Sequence, residues 1–341
     1  MTDFYSASQL EQVAALTGMA RNALAKYPGE FGTPELVKYR ENAIFGVSDR
    51  DGNRFALRIH RPDYHSDAAL ESELWWMDAL AEEGLPVPRV MANADGKFIT
   101  PATAKGVPES RCVDLLSWLG GLPLSHLEES GELSLQARIG HYTSLGRLMA
   151  RLHNHSASWP RPDGFSRHDW FGDALVGPDP IWGRFWELDA LSDEQREIML
   201  WARTEGARML ASYPRHEGNS GLIHADLIAD NLMVEGDKLR PIDFDDAGFG
   251  WHMFDIATSL YFVSREPDYP ALRDALLAGY REKRELPRSE EEALPLFLML
   301  RSTTYLGWVS TRSETETARE LSPILIEQAC ATCDSYRLQC V

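Results

Sequence analysis

The segment HADLIADN, His224 to Asn231, and its continuation LMVEGDKLRPIDFDD constrain the chain more than any other part of it. Polar side chains crowd into eight residues between two apolar runs, Leu222–Ile223 and Leu232–Val234. The spacing predicts two short strands, Leu232–Val234 and Arg240–Ile242, around a turn at Glu235–Lys238. Folding them antiparallel about Asp237 sets Leu232 opposite Ile242, and so brings Asn231 close to Asp243. An amide oxygen and a carboxylate are hard ligands that suit Mg²⁺, which completes its shell with water and phosphate. Asp226 stays outside that shell. It is a candidate to orient a hydroxyl and take its proton during in-line attack.

The rest of the chain supports one broad class. With 341 residues and 44% apolar content, it has material for two lobes with substantial cores. A net charge of -18 repels nucleic-acid phosphates and anionic lipid, so neither is an expected partner. No run approaches the roughly 20 apolar residues of a membrane span, and the N-terminus lacks a secretory pattern, so the expected location is the cytoplasm. Cys330 and Cys333 form a CxxC with Cys340 beyond it, but no second pair completes a zinc site. Thiols in a reducing compartment are the reading adopted.

The first third reads as strand-rich. Ala43–Val47 and Phe55–Ile59 flank DRDGN, a hairpin cue, and Phe55, Leu57 and Ile59 alternate to one face. Arg58 is left on the opposite face among apolar neighbours. A helix follows, capped by Ser66 or Asp67 and ended by Gly84, with Leu70, Leu74, Met77 and Ala81 as its apolar stripe. Glu73 falls within that stripe, and a buried carboxylate costs several kcal/mol unless paired. Arg58 is its natural partner. A linker is expected around Leu115–Pro123, and from Leu122 onward the periodicity is helical. The helix in EEALPLFLMLRSTTYLGWVSTR is apolar over much of its circumference and should be buried.

The order His224-x-Asp226-x-x-x-x-Asn231, then Ile242-Asp243-Phe244-Asp245, resembles the catalytic and metal loops of the aminoglycoside phosphotransferase and choline kinase group. The resemblance extends over the strand-rich region, LGRLMARLHNH and LRSTTYLGW. It implies an α+β, bilobal protein-kinase-like fold: a small β-rich, nucleotide-binding lobe over residues 1–116, and a larger, mostly helical lobe over 117–341. It implies ATP and Mg²⁺ as cofactors and a small-molecule hydroxyl as acceptor, with an amine as one candidate feature. Carried over by position, Asp226 is the catalytic aspartate, and Asn231 and Asp243 hold the metal. His224 braces the loop, Asp255 pins it from a helix start, and Asp245 is an auxiliary metal candidate. Arg58 and Glu73 are similar to the strand lysine and helix glutamate that hold nucleotide phosphates, with arginine in place of lysine. ENxxF, containing Asn42, is similar to the phosphate-covering loop of the stress-response kinase A and type II homoserine kinase branches. In that loop Asn42 would cap the phosphates.

Four further expectations compete or remain to be placed. A serine/threonine protein kinase like stress-response kinase A would put phosphate on protein. A pseudokinase, suggested by Arg58, would bind ATP without turnover. A phosphohydrolase would use the DxD in IDFDDAG. Trp170, Phe171, Trp182, Phe185 and Trp186, with Asp169 and Asp173, could cage an amine, although rings at that density ordinarily serve packing.

Overall fold

A computed structural model describes residues 4–40 and 42–339; Glu41 and Cys340 of the sequence reading lie outside them. The chain divides into two compact units, residues 1–121 with 160–167, and residues 122–159 with 168–341.

In the first unit, helix α1 (Gln9–Leu24) opens on a capping box, Ser8 with Glu11. Strands β1 (Glu35–Tyr39), β2 (Ala43–Ser48) and β3 (Arg54–Ile59) follow, then helix α2 (Asp67–Glu82) and strands β4 (Thr100–Ala102) and β5 (Arg111–Ser117). They form one sheet of order β1-β2-β3-β5-β4, antiparallel throughout. The β2–β3 turn has the expected chemistry: Asp49 accepts from the Asp51 and Asn53 amides, and Gly52 takes φ +83°. Phe55, Leu57 and Ile59 join Leu16, Met19 and Ala23 in one core. Ser66 caps α2, and Gly84 follows its end at φ +75°. Two expectations are corrected. Leu115–Ser117 is no linker but the end of β5, paired with β3 over Phe55–Leu57, because the consecutive Leu115 and Leu116 are both buried. Ala81 is only half-buried, and Trp76 and Leu80 complete the buried stripe instead.

The second unit begins with strand β6 (Leu122–Pro123) and helices α3 (Leu124–Glu129), α4 (Leu135–Ser158), α5 (Gly172–Val176) and α6 (Asp193–Ser212). Strands β7 (Ser220–Ile223), β8 (Leu232–Glu235), β9 (Lys238–Pro241) and β10 (Gly248–Trp251) interrupt the helices. Helices α7 (His252–Tyr261), α8 (Tyr269–Arg281), α9 (Arg288–Glu291), α10 (Leu294–Ser310) and α11 (Glu316–Gln339) complete it. Helices α4 and α8 pack backbone to backbone: a Cβ on Gly146 would lie 2.0 Å from the Leu276 carbonyl oxygen, and one on Gly279 2.0 Å from that of Thr143. Helix α10 is buried on nearly every side, as its composition requires. None of the described helices is long and apolar enough to cross a membrane.

The β8–β9 hairpin forms one register away from expectation. Leu232 pairs with Pro241, and Glu235 with Lys238, so the turn shrinks to Gly236 and Asp237, with Gly236 at φ +60°. A glycine at the first central position permits that tight turn, and the two-residue loop wins over the longer one. The Ile242 amide still donates to the Asn231 carbonyl at 2.9 Å, so the chain leaves the hairpin with Asn231 beside the Ile242–Asp243 segment.

Candidate active site

The loop after β7 is held from below by one buried carboxylate. Asp255, in the first turn of α7, accepts the His224 amide at 3.1 Å and the Ala225 amide at 2.7 Å. This is the contact that the resemblance implied. His153 of α4 donates through Nε2 to the same carboxylate at 3.0 Å and accepts from the Tyr280 hydroxyl at Nδ1, 2.8 Å away. Ala225 sits at φ +65°, a conformation that non-glycine residues adopt at a cost on the order of 1–3 kcal/mol. The Asp255 clamp over-determines it. The Ser259 hydroxyl then donates to the Leu227 carbonyl at 2.6 Å, fixing the next turn. His224 is fully buried and its Nε2 donates to the Ile242 carbonyl at 3.2 Å, tying the loop to the end of the hairpin. Burial pushes its pKa down to about 4, so it is a neutral brace.

Asp226 projects from this frame with 20% of its side chain exposed. Both of its oxygens have a donor. Asn231 Nδ2 reaches Oδ2 at 2.9 Å and the Asp226 carbonyl at 3.0 Å, while Arg301 Nη2 reaches Oδ1 at 2.6 Å. Each carboxylate oxygen keeps a second lone pair for a further donor. Burial raises the Asp226 pKa, and the Arg301 charge opposes that rise. Asp243 is exposed and, like Ala225, holds a positive φ, +65°. Asp245 is buried. Asp246, the next residue, is half-buried. Its carboxylate accepts from Trp182 Nε1 at 3.3 Å, its carbonyl accepts from Trp170 Nε1 at 2.9 Å, and burial followed by Asp226 pushes its pKa well up.

Among the described residues no group of three or more His, Cys, Asp or Glu side chains could hold a metal ion. A Mg²⁺ site does not require one, since this ion uses one or two protein ligands and keeps several waters. The donor set of Asn231 and Asp243 fits that demand: committing the Asn231 nitrogen to Asp226 leaves its amide oxygen as the coordinating end.

The first unit holds a separate buried charge cluster. Arg58 Nη1 meets Glu73 Oε1 at 2.8 Å, the expected pair. Asp114, directly across the strand pair from Arg58, was not foreseen. It accepts from Arg58 Nε at 3.0 Å and Nη2 at 2.8 Å, and sits 2.6 Å from His60 Nε2. Burial alone would raise its pKa, but the Arg58 charge and the His60 hydrogen bond carry it below the ordinary carboxylate value. Asn42 Oδ1 accepts from the Arg61 amide at 3.0 Å, which leaves its amide N–H groups as the end that an anion would meet.

The aromatic segment is packing rather than an amine cage. Trp170, Trp182, Phe185 and Trp186 are buried, and arginines already cover ring faces: Arg215 on Phe171 at 3.6 Å, Arg203 on Trp186 at 4.0 Å and Arg301 on Trp182 at 4.8 Å. The phosphohydrolase reading fails on topology. Asp243 and Asp245 follow an antiparallel three-stranded sheet, β6-β8-β9, not the first strand of a parallel Rossmann-like one. Cys112, Cys330 and Cys333 are free thiols, with the last pushed up to about 12 by burial.

The sequence profile of the phosphotransferase enzyme family matches residues 36–292. A homoserine kinase from Rhizobium meliloti (strain 1021) is 28% identical over 299 residues, 83% of this chain and 82% of its own. The structure of a microcompartment-associated aminopropanol kinase superposes with TM-score 0.81 at 31% identity, covering 94% of this chain and 97% of that one. Amicoumacin kinase hAmiN, solved with AMP-PNP and Ca²⁺, superposes with TM-score 0.75 at 20% identity, covering 96% of each. With three quarters of its length matched by the profile, and with the bilobal protein-kinase-like architecture of these neighbours, the chain belongs to the phosphotransferase enzyme family.

Proposed function

We propose that this ATP-dependent phosphotransferase moves the γ-phosphoryl group to the hydroxyl of a small, amine-bearing metabolite. The observation that carries the reading is the Asp226 carboxylate, partly exposed and anchored through both oxygens by Asn231 and Arg301. Asp226 orients the acceptor hydroxyl and accepts its proton as the new P–O bond forms and the bond from the γ-phosphorus to the bridging oxygen breaks, releasing ADP. Asn231 Oδ1 and Asp243 would hold Mg²⁺, which would supply charge neutralisation on the phosphate oxygens. Because the other end of the Asn231 amide grips Asp226, one side chain links metal position to acceptor position. Arg58, steadied by Glu73 and Asp114, would supply positive charge to the nucleotide phosphates, and Asn42 would cap them. The amine preference is supported by the related homoserine and aminopropanol kinases. The enzyme works in a reducing cytoplasm.

An ADP-release screen over amino alcohols, hydroxy amino acids and aminoglycosides tests the reading. Turnover confined to hydroxylated amines supports it, and phosphate transferred only to protein contradicts it. One second reading has a specific observation behind it: Arg58 is clamped by two carboxylates and is buried, as a purely structural cation would be. Nucleotide affinity unchanged in a folded Arg58→Met variant would favour that reading of this residue.

A further inference from the structure

Arg301 is an unusual residue for its surroundings. It lies in the middle of α10, where thirteen of its sixteen helix companions are uncharged and buried, and its own side chain is wholly inaccessible. Holding a charge there costs several kcal/mol unless the partners are good. Its partners are few: Nη2 donates to Asp226 Oδ1 at 2.6 Å and to the Tyr305 hydroxyl at 2.9 Å, while Nε and Nη1 make no hydrogen bond. Three ring faces surround the guanidinium instead, Tyr305 at 4.2 Å, Trp182 at 4.8 Å and Phe254 at 5.5 Å. Such faces favour a cation without fixing its hydrogen bonds. The one strong directional contact the guanidinium makes is therefore to the acceptor-orienting carboxylate.

We infer that Arg301, steered by Tyr305, is a positioning residue for the phosphoryl-transfer step: it sets the plane of the Asp226 carboxylate, and so the direction in which the acceptor hydroxyl is presented. The inference rests on the functional reading above. A single hydrogen bond from Asn231 to Oδ2 restrains the carboxylate but leaves it some freedom to turn about its last bond. Arg301 removes that freedom by holding Oδ1 from a separate helix. Its N–H groups are inaccessible, so it does not contact the acceptor itself. Misalignment of a reacting group by about 1 Å costs roughly 10²-fold in rate. The loss should therefore fall on kcat and leave substrate affinity alone.

Steady-state kinetics of the full-length enzyme with its best amino alcohol test this. Arg301→Met should lower kcat by about 10²-fold with both KM values within about threefold of wild type. Arg301→Lys should recover part of that loss, and Tyr305→Phe should lower kcat several-fold, again at constant KM. Should Arg301→Met fail to fold, the lysine and phenylalanine variants decide by the same split. Unchanged kcat in Arg301→Met, or in both milder variants, overturns the inference, as does a raised acceptor KM at unchanged kcat. An inactive wild type would remove the kinase reading itself. An active wild type with indifferent Arg301 variants removes only the role of Arg301.

Discussion

Two buried arginines, one in each unit, solve the same desolvation problem in different ways. Arg58 lies on a strand and is gripped by two carboxylates, Glu73 and Asp114, with His60 at the back of the second. Arg301 lies on a helix, with one carboxylate, one hydroxyl and three aromatic faces. Arg58 is held by acids from two sides and so is fixed in place. Arg301 is under-bonded, and its one carboxylate partner is the residue assigned to the chemistry. The first arrangement favours stability and the second favours alignment.

The sharpest way to break this contrast lies at Asp226. Asp226→Ala should lower kcat by about 10³-fold while nucleotide affinity stays near wild type, measured by ADP release and calorimetric titration. Next comes Arg58→Met, which leaves Glu73 and Asp114 buried without their cation. It should destabilise the protein by about 3–5 kcal/mol in denaturant unfolding. A smaller loss than that of Arg301→Met would reverse the comparison. Asp243→Ala should weaken nucleotide binding by about tenfold or more when Mg²⁺ is present and change it little without the ion. Equal, mild effects of the Asp226 and Asp243 substitutions would contradict both assigned roles.

The smallest effect concerns protons. Burial pushes the pKa values of His153 and His252 well below the ordinary imidazole value, and their rings stack at 4.2 Å. Folded rings then bind protons more weakly than unfolded ones. Their contribution to stability is complete above about pH 6.5 and declines as the pH falls below it. The carboxyls of Asp246 and Asp255, pushed up by burial, act in the opposite sense at lower pH. The rings themselves are therefore the readout, and their NMR shifts should still be those of neutral imidazole at about pH 6.5, where a free histidine is half protonated.

The pattern of what was legible follows from locality. The hairpin, the Ser66 cap and the β2–β3 turn are specified within a few residues, and so is the backbone contact of Asn231 with Ile242. Even there the register slipped by one, because the reading spread the turn over four residues where Gly236 allows two. Helix α1 carried a visible signal, Ser8 and Glu11 in capping-box spacing, that the strand-rich reading passed over. Glu73 was legible as a lone acid in an apolar stripe. Arg301 offered the same signal, a lone cation in an apolar helix, and only the choice of Asp226 as its partner required three dimensions. Asp114 and Asp246 gave no such sign. Asp114 matters through cross-strand pairing with Arg58, and Asp246 through the Trp182 side chain, sixty-four residues away.

The most direct test is a crystal structure with Mg²⁺, a non-hydrolysable ATP analogue and an amino alcohol bound. It should place one ion about 2.0–2.1 Å from both Asn231 Oδ1 and an Asp243 oxygen, with the alcohol oxygen about 2.6–3.2 Å from Asp226. An ion bound without either residue, or an alcohol held away from Asp226 and unable to reach the γ-phosphorus in line, would contradict the account.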